Sequence, residues 1–262
     1  MRSSQTDRRA ATAKMPQHQK AATASSRKER EAPAVVDRTI RVYELGTTSY
    51  DEVHSLQRRL QQQRREGQGI DSLLLTEHRP VFTLGRSHPE PDLRVPAESL
   101  AEHGIEIVQT ERGGDITYHG PGQLVAYGIV DLKAWDLGVV DYAALLEQTV
   151  IGVIADWGVK GEQVSKARGV WVGGRKIASL GINVRRWVTM HGIAINIDPD
   201  MGHFELINPC GLPDVEMTSL SYEVGKKVPM SEVLEAFVFH FGRVFGCATE
   251  TVDVATRPAR RA

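Results

Sequence analysis

The stretch Arg112-Gly-Gly-Asp-Ile-Thr-Tyr-His-Gly-Pro-Gly-Gln-Leu-Val-Ala-Tyr-Gly-Ile-Val130 decides how this chain is read. Its second half, Gln123 to Val130, is an apolar run of the kind that forms a buried strand. Its first half sets glycines, which let backbone approach a ligand closely, among Arg112, Thr117, His119 and Gln123. Two readings of Gly113 and Gly114 stay open at this point: they expose backbone N–H groups to an anion or oxyanion, or they make a hairpin turn. The polar residues around Gly120-Pro-Gly122, just ahead of the strand, favour a pocket wall.

Two further blocks look built for the same site, Gly173-Gly-Arg-Lys-Ile-Ala-Ser-Leu-Gly181 and Asn208-Pro-Cys-Gly211. With the first they join glycines to His119, Lys176 and Cys210, a combination that suggests acyl transfer. Cys210 lies in a turn sequence, which presents its thiol on a loop. The bland alternative is a small buried hydrophobe, and Cys247, following an apolar helix, fits that alternative better. Lys176 opens the apolar run Ile177 to Ile182, so it is either drawn into a dry pocket or left at the surface on a strand end. In a pocket it would serve as a neutral base or as the cation beside a Cys210 thiolate; the residues leave both roles open.

Around these blocks the pattern predicts strands at 39–45, 72–76, 80–84, 105–110, 123–130, 169–172, 176–184 and 191–197. A helix over 49–66 turns Val53, Leu56 and Leu60 inward and leaves an Arg- and Gln-rich flank to solvent. A second, capped by Asp141, runs to about Trp157, and a third, capped by Ser231, ends near Gly246. Short glycine-containing links between strands favour a single-domain α+β fold, a mixed, largely antiparallel sheet flanked by helices. Residues 1–36 carry eight Lys or Arg against three acids and no apolar periodicity, so they are expected to be disordered. Residues 37–252 are expected to form the catalytic domain, with a short tail over 253–262.

A chain of 262 residues, 41% apolar and 25% charged, can bury a substantial core. Two cysteines without a CxxC pair exclude a disulfide framework and a cysteine zinc site, and fit a reducing compartment. His191 and His203 lack partners at ligand spacing, so no metal is expected. Trp135, Trp157, Trp171 and Trp187 are read as packing residues, because no basic stripe accompanies them, and nucleic acid is excluded as a partner. No apolar run approaches the ~20 residues of a membrane span. The chain is expected to be a cytoplasmic monomer, or mitochondrial or plastid if the basic start is a transit peptide.

From about residue 40 to 245 the sequence resembles the lipoyl(octanoyl) transferase family, which shares a catalytic fold with biotin and lipoate protein ligases. Arg112, Gly113, Gly114, Thr117, Tyr118, His119, Gly122 and Gln123 fit that family's first block. Gly169 to Ile177 resembles its lysine block, His191 to Ala194 its substrate-contacting strand, and Asn208 to Gly211 followed by Met217-Thr-Ser-Leu220 its nucleophile loop. Asn208 before the Pro-Cys pair and Glu216-Met217 before Thr-Ser are slight departures. The resemblance implies that Cys210 takes an octanoyl group from acyl carrier protein as a thioester, that Lys176 assists, and that no cofactor or ATP is used. It further implies that Arg112, Gly113, Gly114, Asp115, Ile116, Thr117, Tyr118, His119, Ser179, Leu180, Gly181, Gly192, Ile193 and Ala194 line the acyl site. The implied acceptors are lipoyl domains of 2-oxoacid dehydrogenase complexes and the glycine cleavage H protein. Two rivals stand beside this: an ATP-dependent lipoate or biotin ligase, and a non-catalytic module that binds acyl carrier or lipoyl domains.

Overall fold

In the chain's computed structural model, residues 38–87, 92–96, 99–100, 103–165, 167–208 and 215–252 are described. The expected disordered start, the C-terminal tail and Cys210 lie outside the described residues. An eight-stranded sheet runs β11 (Ala248–Val252), β1 (Thr39–Thr48), β2 (Ser72–His78), β6 (Gln123–Ile129), β10 (Val188–Asn196), β9 (Arg175–Arg185), β8 (Ala167–Val172), β7 (Glu162–Val164). β1 pairs parallel with β2 and β11, and all other neighbours in this sheet are antiparallel. A smaller sheet sets β3 (Val81–Leu84) between β4 (Glu106–Gln109) and β5 (Thr117–His119). The α+β architecture read from the pattern is therefore the one observed.

Alternation along the central strands divides the core. Leu73, Leu75, Leu124, Ala126, Ile193 and Ile195 face helices α2 (Val139–Ala155) and α4 (Met230–Phe245). Leu74, Val125, Tyr127 and Ala194 face α1 (Tyr50–Arg65) with Val53. Phe82, Ile116, Tyr118 and Phe204 form a separate cluster under the small sheet.

Ser49 caps α1 in a reciprocal box with Glu52, which satisfies two donors that a bare helix start leaves unpaired. Val53, Leu56 and Leu60 pack inward as expected, but the inward face of α1 is wider and takes in part of the flank expected to be solvated. His54, Gln57 and Gln61 are buried beside Val53, while Leu56 and Leu60 are only half-buried. The cause lies in the partner surface: Gln57 Oε1 accepts the His191 N–H at 2.8 Å and Gln61 donates to the Val188 carbonyl at 3.0 Å. Two expected caps are also corrected. Asp141 lies in the first turn of α2, whose cap position is Gly138, and Ser231 lies inside α4 after Pro229; neither cap residue makes a side-chain bond. Both positions still put a polar group at the positive end of a helix.

Trp135 and Trp171 are buried, but Trp187 is 53% exposed on the β9–β10 turn at φ 67°, so it is not a packing residue. The short strands β5, β7 and β11 and helix α3 (Leu220–Val224) were not anticipated. They are too brief for periodicity to register.

Candidate functional site

A cleft opens on the α1 face of the large sheet. It is walled by Tyr50, by Arg112 and Gly114 to Thr117, by His119, by Val125 and Tyr127, by Ser179 to Gly181, and by His191 to Ala194. Some 470 Å³ of space lies between these walls, mouth included. It is a flat slot. Of the residues expected to line an acyl site, all but Gly113 and Tyr118 border it. Tyr118 points to the opposite face of β5 from Thr117 and His119, where it packs edge-on to Phe82 and its hydroxyl lies 2.8 Å from His203 Nδ1. The Gly113 N–H is taken by the Ile182 carbonyl at 2.9 Å, so it is not an oxyanion donor.

The turn at 112–115 is pinned from both sides. The Arg112 guanidinium is buried and bonds Thr83 Oγ1 and the Thr83 carbonyl, which ties the turn to β3. The turn also lies against β9, and Gly181 permits this: a Cβ there would stand 2.9 Å from the Gly113 carbonyl oxygen and 3.1 Å from Arg112 Cδ.

Gln123 is a latch and not a pocket residue. Its Oε1 lies 3.1 Å from His119 Nδ1, and its amide nitrogen donates to the Tyr118 carbonyl at 3.1 Å and to Asn196 Oδ1 at 2.9 Å. Because the amide oxygen can only accept, His119 donates from Nδ1 and its Nε2 carries the lone pair. The chain of bonds continues: Asn196 donates to the Thr218 carbonyl at 2.9 Å, and Thr218 Oγ1 to Glu223 at 2.5 Å. Glu223 in turn receives the Arg175 fork at 2.8 to 3.1 Å. One wall of the cleft is thus connected to the residues that follow the Cys210 segment.

Lys176 stands three residues before Ser179 on β9, roughly 10 Å along the strand. It is buried, which removes the surface reading. Its N–H donates to the Glu216 carbonyl at 2.8 Å, and its carbonyl accepts from Thr218 at 3.0 Å. Its ammonium lies 5.5 Å from the Trp171 ring centre, a favourable cation–π distance. Gly169, at φ 123°, leaves room for it, since a Cβ there would meet Lys176 Cε at 2.8 Å. Buried Glu147 holds that glycine by accepting its N–H at 2.8 Å. Cys247 is fully buried, and burial pushes its thiol up to about 11, so it is the inert cysteine.

Several buried aromatic groups along the cleft are neutral. Burial pulls His78 down to about 4, partly offset by a bond to Thr48, and its Nε2 meets the Tyr127 hydroxyl at 2.8 Å. Burial, with repulsion from His78 and Arg112, holds His119 well below the ordinary range. Burial likewise takes His191 down to about 3, and it raises Tyr50 and Tyr127. Tyr50, Val125, Tyr127 and His191 complete the slot but were not among the expected site residues. They come from three separate elements, α1, β6 and β10, and only His191, in a His-Gly pair, carries a local signal.

The model of the lipoyl protein ligase A/B catalytic domain matches residues 49–242. The chain belongs to that family. An octanoyltransferase of Syntrophobacter fumaroxidans is 49% identical over 77% of this chain and 88% of its own. One of Chloroflexus aggregans is 46% identical over 79% and 96%. Among solved structures, a putative lipoate protein ligase of T. acidophilum with bound lipoic acid superposes with a TM-score of 0.63 at 14% identity, covering 82% of this chain and 90% of that one. A lipoate-protein ligase A bound with ATP gives 0.63 at 13%, covering 84% and 90%. These likenesses establish the lipoyl protein ligase fold. No helix among the described residues is long and apolar enough to cross a membrane.

Proposed function

We propose that this chain is an acyltransferase that moves an octanoyl or lipoyl group from acyl carrier protein to a lysine of lipoyl domains, the first step of endogenous protein lipoylation. Those of 2-oxoacid dehydrogenase complexes and the glycine cleavage H protein are the acceptors. Curated octanoyltransferases 49% and 46% identical to this chain support octanoyl transfer in lipoylation. The slot, with Ile116, Val125, Leu180 and Ala194 among its walls, offers apolar surface to an alkyl chain.

Cys210 attacks the thioester carbonyl of the donor, the carrier thiol leaves with the cysteine's proton, and the acyl group rests on Cys210. The acceptor amine then attacks this second thioester, releases the Cys210 thiol and forms an amide. Thioester exchange is nearly balanced and amide formation runs downhill, so the sequence needs no ATP. Lys176 assists the cysteine, and backbone amides of the turn beyond Gly113 stabilise the tetrahedral oxyanion. The observation that carries this reading is Lys176 itself, a buried amine bonded through its backbone to Glu216 and Thr218, on the same strand that supplies Ser179 to Gly181 to the slot.

The test is the intact mass of the purified chain after exposure to octanoyl-acyl carrier protein without ATP, with Cys210→Ser in parallel. A thioester-labile octanoyl adduct on the native chain alone is expected. Product that forms only with ATP and survives Cys210→Ser would replace this reading with a ligase; partner binding without transfer would replace it with a binding module.

A further inference from the structure

We propose that His54, Glu111 and His191 form a binding site for a divalent transition-metal ion, zinc by its donor set, at the wall of the slot. His54 comes from α1, Glu111 from the turn after β4 and His191 from β10. His54 Nε2 lies 2.9 Å from Glu111 Oε2, and His191 Nε2 lies 3.9 Å from the same oxygen. One donor atom from each falls within 4.8 Å of the others, and the two imidazole rings are 5.5 Å apart.

His191 is the observation that asks for a ligand. It is 1% exposed, and neither Nδ1 nor Nε2 has a hydrogen-bond partner. A buried imidazole without partners costs free energy that a bound cation would recover. Glu111 is divided between two neighbours. Arg58 Nε takes Oε1 at 3.1 Å and its Nη2 reaches Oε2 at 3.4 Å, while Oε2 faces the histidines. Arg58 is 62% exposed and free to swing outward.

The fit needs movements of the three side chains, the largest up to about 1.5 Å, to draw the two imidazole donors together from within 4.8 Å. Four-coordinate zinc with bonds of about 2.0–2.1 Å holds its donors about 3.3 Å apart. The 2.9 Å contact therefore opens and the 3.9 Å contact closes by roughly half an ångström each, and any proton on a coordinating nitrogen passes to solvent. Two imidazoles and one carboxylate leave a loaded site with net positive charge near Arg58 and Arg112. That disfavours calcium and magnesium, which need several oxygen donors, and favours a metal that binds imidazole strongly. The ion would join three elements around the slot, and the proposal does not depend on acyl transfer.

The test uses the full chain carrying Cys210→Ser, which removes the loop thiol as a competing ligand, freed of metal and titrated with cobalt(II) and zinc(II). One equivalent is expected to bind by calorimetry, with visible cobalt bands and no thiolate charge-transfer band. His54→Ala should lower affinity about a hundredfold, at least the loss seen when a supporting partner of a metal ligand is removed. His103→Ala, remote from the site, should not. Glu111→Gln, nearly isosteric, should weaken binding with the circular dichroism spectrum unchanged, so the result stands even if His54→Ala misfolds. Absence of stoichiometric binding, or binding indifferent to both His54→Ala and Glu111→Gln, would overturn the assignment and leave three groups that only share a proton.

Discussion

Acid should destabilise this fold well above the range in which carboxylates protonate, and His78 allows the size of the effect to be worked out. Burial holds its native pKa at about 4, against an ordinary 6.5. The unfolded chain therefore binds a proton that the native state refuses; stability is full above pH ~6.5 and is lost progressively as pH falls toward ~4. At about pH 5 the unfolded imidazole is roughly 97% protonated and the native one roughly 9%, so the loss relative to about pH 7.5 is about 2 kcal/mol. That equals roughly 4–8 °C in Tm for a domain of this size. His119, displaced in the same direction, adds to the loss.

The assay is urea unfolding in the presence of a chelator at both pH values, for the native chain and for His78→Gln. The variant keeps a hydrogen-bonding group near the Tyr127 hydroxyl but cannot titrate. The native chain should lose about 2 kcal/mol more than the variant between the two pH values, a double difference that cancels the titrating groups remote from His78, while its neighbour His119 is followed separately by its ring NMR titration. Equal losses, or an NMR titration of the His78 ring near its ordinary value, would show that the imidazole is not held neutral by burial.

Gln123→Leu should cost about 3 kcal/mol, measured by urea unfolding, because it strands the His119 Nδ1–H, the Tyr118 carbonyl and Asn196 Oδ1 in the interior. Gly181→Ala should cost about 1–3 kcal/mol by overpacking the Gly113 carbonyl and Arg112, and should raise the KM for the acyl donor more than it lowers kcat. Cys210→Ala should abolish transfer while Cys247→Ala keeps it and loses about 1 kcal/mol of stability. Lys176→Ala should slow acylation of Cys210 far more than it weakens donor docking, with no rescue by Lys176→Arg, as followed by rapid-quench mass measurement.

The cleft walls were legible where a block of sequence carries its own function. Arg112 to His119 and Ser179 to Gly181 combine glycines with polar groups within a few residues, and all of these except Gly113 and Tyr118 border one cleft. What escaped depends on contacts between distant segments. The stripe of α1 through His54, Gln57 and Gln61 lies one position along from Val53, Leu56 and Leu60, and a hydrophobicity criterion selects the apolar set. The polar stripe turns inward because β10, more than a hundred residues later, offers it the His191 N–H and the Val188 carbonyl. Gln123 likewise reads as a pocket donor in sequence and becomes a latch once Asn196 arrives opposite it.

These misreadings share one cause, and it explains how a wall rich in histidine and tyrosine can still receive an alkyl chain. Tyr127 and His119 spend their polar atoms on His78 and Gln123 within the protein. Uncharged, and with Tyr127 Oη and His119 Nδ1 paired inside the protein, their rings contribute apolar surface to the slot beside Val125, Leu180 and Ala194. Protonating His78 or His119 would introduce charge into this buried wall, so acid should weaken the acyl site together with the fold. His191 borders the same slot with neither nitrogen hydrogen-bonded, which is why a polar ligand is to be sought at that imidazole and not at the others.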